Sequence, residues 1–114
     1  MPAATEHFDS DVLRDAAGQA CGLLKTLANP DRLILLCQLS QGEHCVSELE
    51  LATGLGQPRL SQQLTVLREE NLVSTRREGK QIFYNIASEE ALAVMQVLHA
   101  LYCGKKTSPK GKTK

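Results

Sequence analysis

Leu60, Leu64 and Leu67 recur at the i, i+4 and i+7 spacing of one helical face, whereas Gln57, Arg59, Ser61, Gln62 and Thr65 fall largely off it. This pattern predicts a helix with one buried stripe and one polar face. Gln57 and Pro58 open it, since proline suits a first turn whose N–H groups lack helical partners anyway. A shorter helical run from Val46 to Ala52 precedes it, with Ser47 in the first turn, and Thr53, Gly54, Leu55 and Gly56 supply the turn between the two. Residues 72–86 then form two β-rich runs that meet at Glu78, Gly79 and Lys80, which predicts a hairpin with Gly79 at its tip.

The flanks follow the same logic. Val12, Ala16, Ala20, Leu23, Leu24 and Leu27 form the apolar side of a helix from Asp11 to Leu27, capped by Asp9 or Ser10. Pro30 starts the next helix and forces Ala28 or Asn29 out of the α region before it. Leu33 to Leu39, the most hydrophobic stretch, is expected to be the central helix, and Ser40 to Glu43 ends it. Ser88, followed by Glu89 and Glu90, starts a last helix whose stripe of Leu92, Met95, Leu98, Leu101 and Tyr102 finds no obvious partner in a domain this small. A second copy of the chain is the natural outlet for that surface.

The expected fold class is mainly α with a small β-hairpin. It is a winged helix-turn-helix of about five helices plus a two-stranded wing, paired as a homodimer through its first and last helices. Residues 9–103 are read as this DNA-binding and dimerisation domain, 1–8 as a flexible N-terminus and 104–114 as a disordered basic tail.

Composition narrows the class. The 114 residues suit one domain, with 42% apolar residues for a core but little volume for an enzyme cleft. Aromatic residues are only 4% and Trp is absent, so the core must rest on Leu, Ile, Val and Ala, a shortage that dimerisation relieves. The formal net charge is zero, so DNA binding requires cations concentrated on one face. The polar helix and the hairpin supply such a face. Arg, Gln and Ser read base edges in a major groove, while Arg76, Arg77 and Lys80 near the hairpin tip are placed for phosphates or an adjacent minor groove. No apolar run approaches the roughly 20 residues of a membrane span, and the first residues lack the basic-then-apolar order of a secretion signal. The chain is therefore expected to be cytoplasmic, with no membrane partner and its four cysteines reduced at rest.

Four ordered blocks, Leu23 to Leu33, Val46 to Leu49, Leu60 to Arg68 and Gly79 to Tyr84, resemble the signature segments of ArsR/SmtB transcriptional repressors, and the likeness runs from about Leu23 to Cys103. The resemblance implies a homodimer on double-stranded, palindromic operator DNA, released by an inducer. Its two reading helices would enter successive major grooves roughly 34 Å apart. Neither metal site that the resemblance brings to mind is complete. The arsenic-type pair of cysteines at the start of the third helix matches Cys45 and Ser47, and the terminal-helix zinc site finds only His99 with Glu89 and Glu90 at the far end. No metal ligand and no cofactor are therefore assigned.

Cys37 on the second helix and Cys103 at the end of the last resemble the cysteine pair of the family's sulfide- and persulfide-responsive branch, which implies that they meet in the folded chain. Reactive sulfur species or another oxidant would then be the inducer, joining the two as a di-, tri- or tetrasulfide. A plain disulfide needs Cα atoms within roughly 7 Å, and each inserted sulfur tolerates a wider gap. The other reading of Cys37 is a small core hydrophobe beside Leu33 and Ile34. Cys21 is read as first-helix packing and Cys45, beside His44, as exposed. Three or four thiolates drawn together could instead bind a soft metal or metalloid such as arsenite. A winged-helix module binding protein rather than DNA is a further alternative. A thiol enzyme is disfavoured, since the sequence has no Cys-x-x-Cys pair and no Gly-rich phosphate loop.

Overall fold

The computed structural model describes residues 9–103. The expected flexible N-terminus (1–8) and basic tail (104–114) lie outside the described residues. Five helices and three short strands follow in the order α1 (Ser10–Leu27), α2 (Pro30–Leu39), β1 (His44–Cys45), α3 (Val46–Thr53), α4 (Gln57–Glu69), β2 (Val73–Glu78), β3 (Gln81–Ile86) and α5 (Glu89–Tyr102).

Helix ends fall where local chemistry puts them. Asp9 caps α1 by accepting from the Asp11 N–H, Asn29 caps α2 by accepting from the Arg32 N–H, and Ser88 caps α5 by accepting from the Ala91 N–H. Pro30 occupies the first position of α2 behind an extended Asn29 (φ −154°, ψ 122°). Gly54 ends α3 in the left-handed region (φ 76°), which a residue with a Cβ adopts at a cost.

Leu35, Leu36, Leu49, Leu60 and Leu67 have no accessible surface and form the centre of the core, with Leu27, Leu39, Leu64, Leu72 and Met95 around them. Helix α2 lies in the middle, touching α1, α3, α4, α5 and β3. The stripe of α4 is buried as its spacing requires. The first half of α5 is a correction to the expectation that its stripe lacks a partner: Ala91 and Met95 are buried in the chain's own core, with Val94 and Leu98 packed against it. Only the far end stays open, with Val97 57%, Leu101 56% and Tyr102 79% exposed. On α1 the same holds for Val12, Leu13 and Leu24, and only Leu27 is fully buried.

The wing is the expected hairpin. Glu78 pairs with Gln81 across a two-residue loop of Gly79 and Lys80, and Gly79 has φ 63° while Lys80 stays at negative φ. Positive φ at the first loop position alone is the type II′ arrangement, whose twist matches the strands it joins. The sheet, however, has a third strand. β1 adds antiparallel to the other edge of β3, with His44 opposite Tyr84 and Cys45 opposite Phe83, giving the order β1-β3-β2. Two residues are too few to register as alternation, so the sequence pattern alone shows only the hairpin.

Because Leu36 is wholly enclosed, Leu36→Ala should lower unfolding free energy by roughly 2–5 kcal/mol. Urea titration at a fixed protein concentration measures this, and a loss under 1 kcal/mol, taken as roughly the cost of a surface change, would contradict the core described here.

Candidate nucleic-acid interface and thiol pair

Burial of Leu60, Leu64 and Leu67 turns the opposite face of α4 outward, so Gln57, Arg59, Ser61, Gln62 and Thr65 are all exposed on one helix. Their side chains are not equally uncommitted. The Ser61 hydroxyl donates to Gln57 Oε1 at 3.3 Å, and the Thr65 hydroxyl donates to the Ser61 carbonyl at 2.9 Å. Arg59 forms a two-pronged pair with Asp31, from Nη2 to Oδ1 at 2.7 Å and from Nε to Oδ2 at 3.2 Å. The next residue, Arg32, donates from Nη1 to Gln63 Oε1 at 2.9 Å and from Nε to the Thr26 carbonyl at 2.6 Å. The first turn of α2 therefore holds α4 through two side chains and the end of α1 through one. Neither Asp31, Arg32 nor Gln63 stands out in the sequence, because each partner is close only after folding.

Arg76, Arg77 and Lys80 are exposed on the wing. Strand alternation puts Arg76 and Arg77 on opposite faces. Arg76 donates from Nε and Nη2 to the two carboxylate oxygens of Glu43 at 2.6 and 2.8 Å, and from Nη1 to Glu78 Oε1 at 2.8 Å. Its guanidinium lies 4.8 Å from the centroid of the Phe83 ring. Asn85 Nδ2 also donates to Glu43 Oε2 at 2.8 Å. Hydrogen bonds from Arg76 and then Asn85 hold the Glu43 carboxyl down at about 2, while its partners push Arg76 above its ordinary range.

The thiols divide into three environments. Cys37 is half-buried in the last turn of α2, where its carbonyl accepts from the Ser40 hydroxyl at 2.6 Å. Cys103 is exposed at the end of α5, a helix packed on α2. Burial pushes the Cys37 thiol up, and negative charge on Cys103 pushes it further. The second effect places the two sulfur atoms within electrostatic reach of one another, although both are free thiols. Cys45 corrects the reading of an exposed residue. It is 4% exposed, because β1 seats it beside Phe83 and at the start of α3, with Sγ 3.3 Å from Ser47 Oγ. Cys21 corrects the reading of first-helix packing, since it is exposed on the side of α1 that the chain's own core does not use. Among the described residues no group of three or more His, Cys, Asp or Glu is placed to hold a metal ion, and no helix is long and apolar enough to cross a membrane.

A helix-turn-helix with an outward polar second helix, joined to a cationic hairpin, defines a winged-helix protein of the DNA-reading type. Residues 29–75 match the family described as bacterial regulatory protein, arsR family. A biofilm growth-associated repressor from Agrobacterium fabrum is 56% identical over 81 residues, spanning 71% of this chain and 69% of that protein. The crystal structure of the transcriptional repressor BigR from Xylella fastidiosa superposes with a TM-score of 0.79 at 44% identity, covering 86% of this chain and 97% of the other. A homodimeric winged helix-turn-helix DNA-binding domain from Mycobacterium bovis gives a TM-score of 0.65 at 33% identity, covering 86% and 88%. The chain belongs to the arsR family of bacterial regulators, which are not enzymes.

Glu43 supplies a pH test. Its folded carboxyl titrates below the ordinary 4.5, so its stabilising effect is complete above that value and is lost as pH falls through about 2. A side-chain NMR titration should find the Glu43 midpoint near about 2 in the parent protein and raised toward 4.5 in Arg76→Gln. An unmoved midpoint would show that Arg76 is not the cause.

Proposed function

We propose that the chain is a dimeric transcriptional repressor that binds palindromic operator DNA and lets go when Cys37 and Cys103 become linked through sulfur. The DNA-binding part is carried by one observation: the polar face of α4 stands outward on a scaffold shared with named repressors. Gln57, Arg59, Ser61, Gln62 and Thr65 meet base edges and nearby backbone in the major groove, and the cations of the wing lie toward the flanking phosphates. Exposed Val12, Leu13 and Leu24 on α1 and Val97, Leu101 and Tyr102 on α5 support dimerisation, because a second copy would bury both apolar surfaces together.

The electrostatic coupling of Cys37 and Cys103 supports the switch. Cys103 is the first nucleophile in this reading, because it is exposed while burial and its neighbour keep Cys37 protonated. Its thiolate attacks the outer sulfur of a persulfide RSSH, giving Cys103–SSH and releasing RSH. The Cys37 thiolate then attacks the Cys103 sulfur and displaces hydrosulfide, closing a disulfide. If both residues are persulfidated first, one persulfide displaces hydrosulfide from the other and leaves a trisulfide. Either link ties the end of α2 to the end of α5, and a 100-fold loss of operator affinity requires only about 2.7 kcal/mol of coupling.

Mass spectrometry after treatment with a persulfide donor should find a Cys37–Cys103 crosslink. Cys37→Ser and Cys103→Ser should each bind operator DNA as the parent does and fail to release it. Release without the crosslink would refute the switch and leave the repressor reading in place. For recognition, Arg59→Ala should weaken binding and relax sequence choice, costing roughly 1–3 kcal/mol. Arg77→Ala should weaken binding to all sequences and lower the slope of log K against log salt by about 0.9. Competition binding over a salt series on selected and scrambled duplexes measures both effects, and equal sequence discrimination in Arg59→Ala and the parent would overturn its reading role.

A further inference from the structure

Arg76 sits on β2 opposite Phe83 of β3, and Phe83 lies opposite Cys45 of β1 on its other side. Extending the β1–β3 register by one residue sets Glu43 beside Asn85, which donates to it at 2.8 Å. Phe83 and Asn85 are two apart and share a face of the sheet with Arg76. The guanidinium therefore crosses the Phe83 ring diagonally and ends on a carboxylate beyond the far strand, while its third nitrogen returns to Glu78 on its own strand. One side chain spans all three strands.

Nothing about a cation on a wing requires this arrangement. To reach a phosphate, Arg76 would have to abandon both oxygens of Glu43, the single bond to Glu78 and the ring of Phe83. It would also strip the cation from two carboxylates beside a polyanion. Arg77 and Lys80 carry no such cost: Arg77 projects from the other face and Lys80 from the loop.

We propose that Arg76 is a positioning residue of the wing, strapped by Glu43 and Glu78 across the Phe83 ring, so that Arg77 and Lys80, and not Arg76, meet the phosphates. The Glu43 anchor lies in the loop that leaves α2, so the strap fixes the hairpin to the helix that also holds α4. The inference rests on the DNA-binding reading above.

The test uses the full chain and a palindromic duplex that the parent protein selects from a randomised pool. Glu43→Gln, Arg76→Lys and the double variant are compared with Arg77→Ala over a salt series, and backbone amide exchange is measured on each without DNA. Lysine keeps the charge but lacks the planar fork, so it cannot hold Glu43 by two bonds and Glu78 by a third. Glu43→Gln and Arg76→Lys should each lose affinity by about tenfold with the salt slope unchanged, and the double variant should be no worse than either single one. Amides of β2 and β3 should exchange faster in these variants while those of α4 keep their protection. The proposal fails if Arg76→Lys binds as the parent does, or if Arg76→Gln lowers the slope by about 0.9 as a lost phosphate contact would. It also fails if Glu43→Gln binds more tightly, which would mean that Glu43 holds Arg76 back from DNA. If the parent selects no duplex, the DNA-binding reading is lost, and unchanged wing exchange in Glu43→Gln would still sink the strap on its own.

Discussion

Leu35 and Leu36 are sealed from solvent because α1, α3, α4, α5 and β3 all close on α2, and every functional group of the chain is held relative to that one helix. Its apolar residues form the middle of the core. Its first turn sends Asp31 and Arg32 to α4, its last turn carries Cys37, and the loop after it presents Glu43 to the wing. Fully burying a leucine contributes roughly 1.5–3 kcal/mol, far more than an exposed ion pair. The core therefore sets where the polar contacts fall, and those contacts refine the orientation of elements already packed.

Zero net charge fits this economy, since the carboxylates are used to aim the cations. The Arg59–Asp31 pair has one partner 63% exposed, and an exposed pair contributes about 0–1 kcal/mol. A bidentate arginine–guanine contact provides roughly 1–3 kcal/mol of discrimination. Exchanging Asp31 for a base edge is thus favourable, and the pair can keep Arg59 extended beforehand without withholding it. Arg76 differs because its partners act together. Two carboxylates, the Phe83 ring and the Asn85 bond to Glu43 would all be disturbed at once, so the same exchange is opposed at every one of them.

Local chemistry was legible wherever it determines structure locally. The leucine spacing of α4, Asn29 with Pro30, Ser88 ahead of two acids, and Gly79 at the hairpin tip each specify an element through neighbours a few residues away. Contacts across about thirty residues were not legible, because no periodicity links Asp31 to Arg59 or Glu43 to Arg76. The burial of Cys45 was hidden for the same reason. It depends on a two-residue strand that forms only once β3 is present to receive it. Of the site residues named from sequence, the α4 group stands together on an exposed face, whereas Arg76 and Arg77 are separated by strand alternation.

The position of Cys37 decides what a sulfur link could achieve. In the middle of α2 a new bond would work against the full packing of the core, and the helix would resist. At its last turn the bond acts on a helix end already close to the end of α5, where Leu101 and Tyr102 are exposed and available to a second subunit. The cheapest response to strain there is a shift of the α5 end, because few contacts of the chain's own core hold it. In the proposed dimer, such a shift changes the angle between subunits and so the separation of the two α4 helices. Packed interfaces move between discrete arrangements more readily than they deform smoothly. A link of a few ångströms between these two helix ends is therefore enough to misplace two reading helices that must enter successive grooves at once.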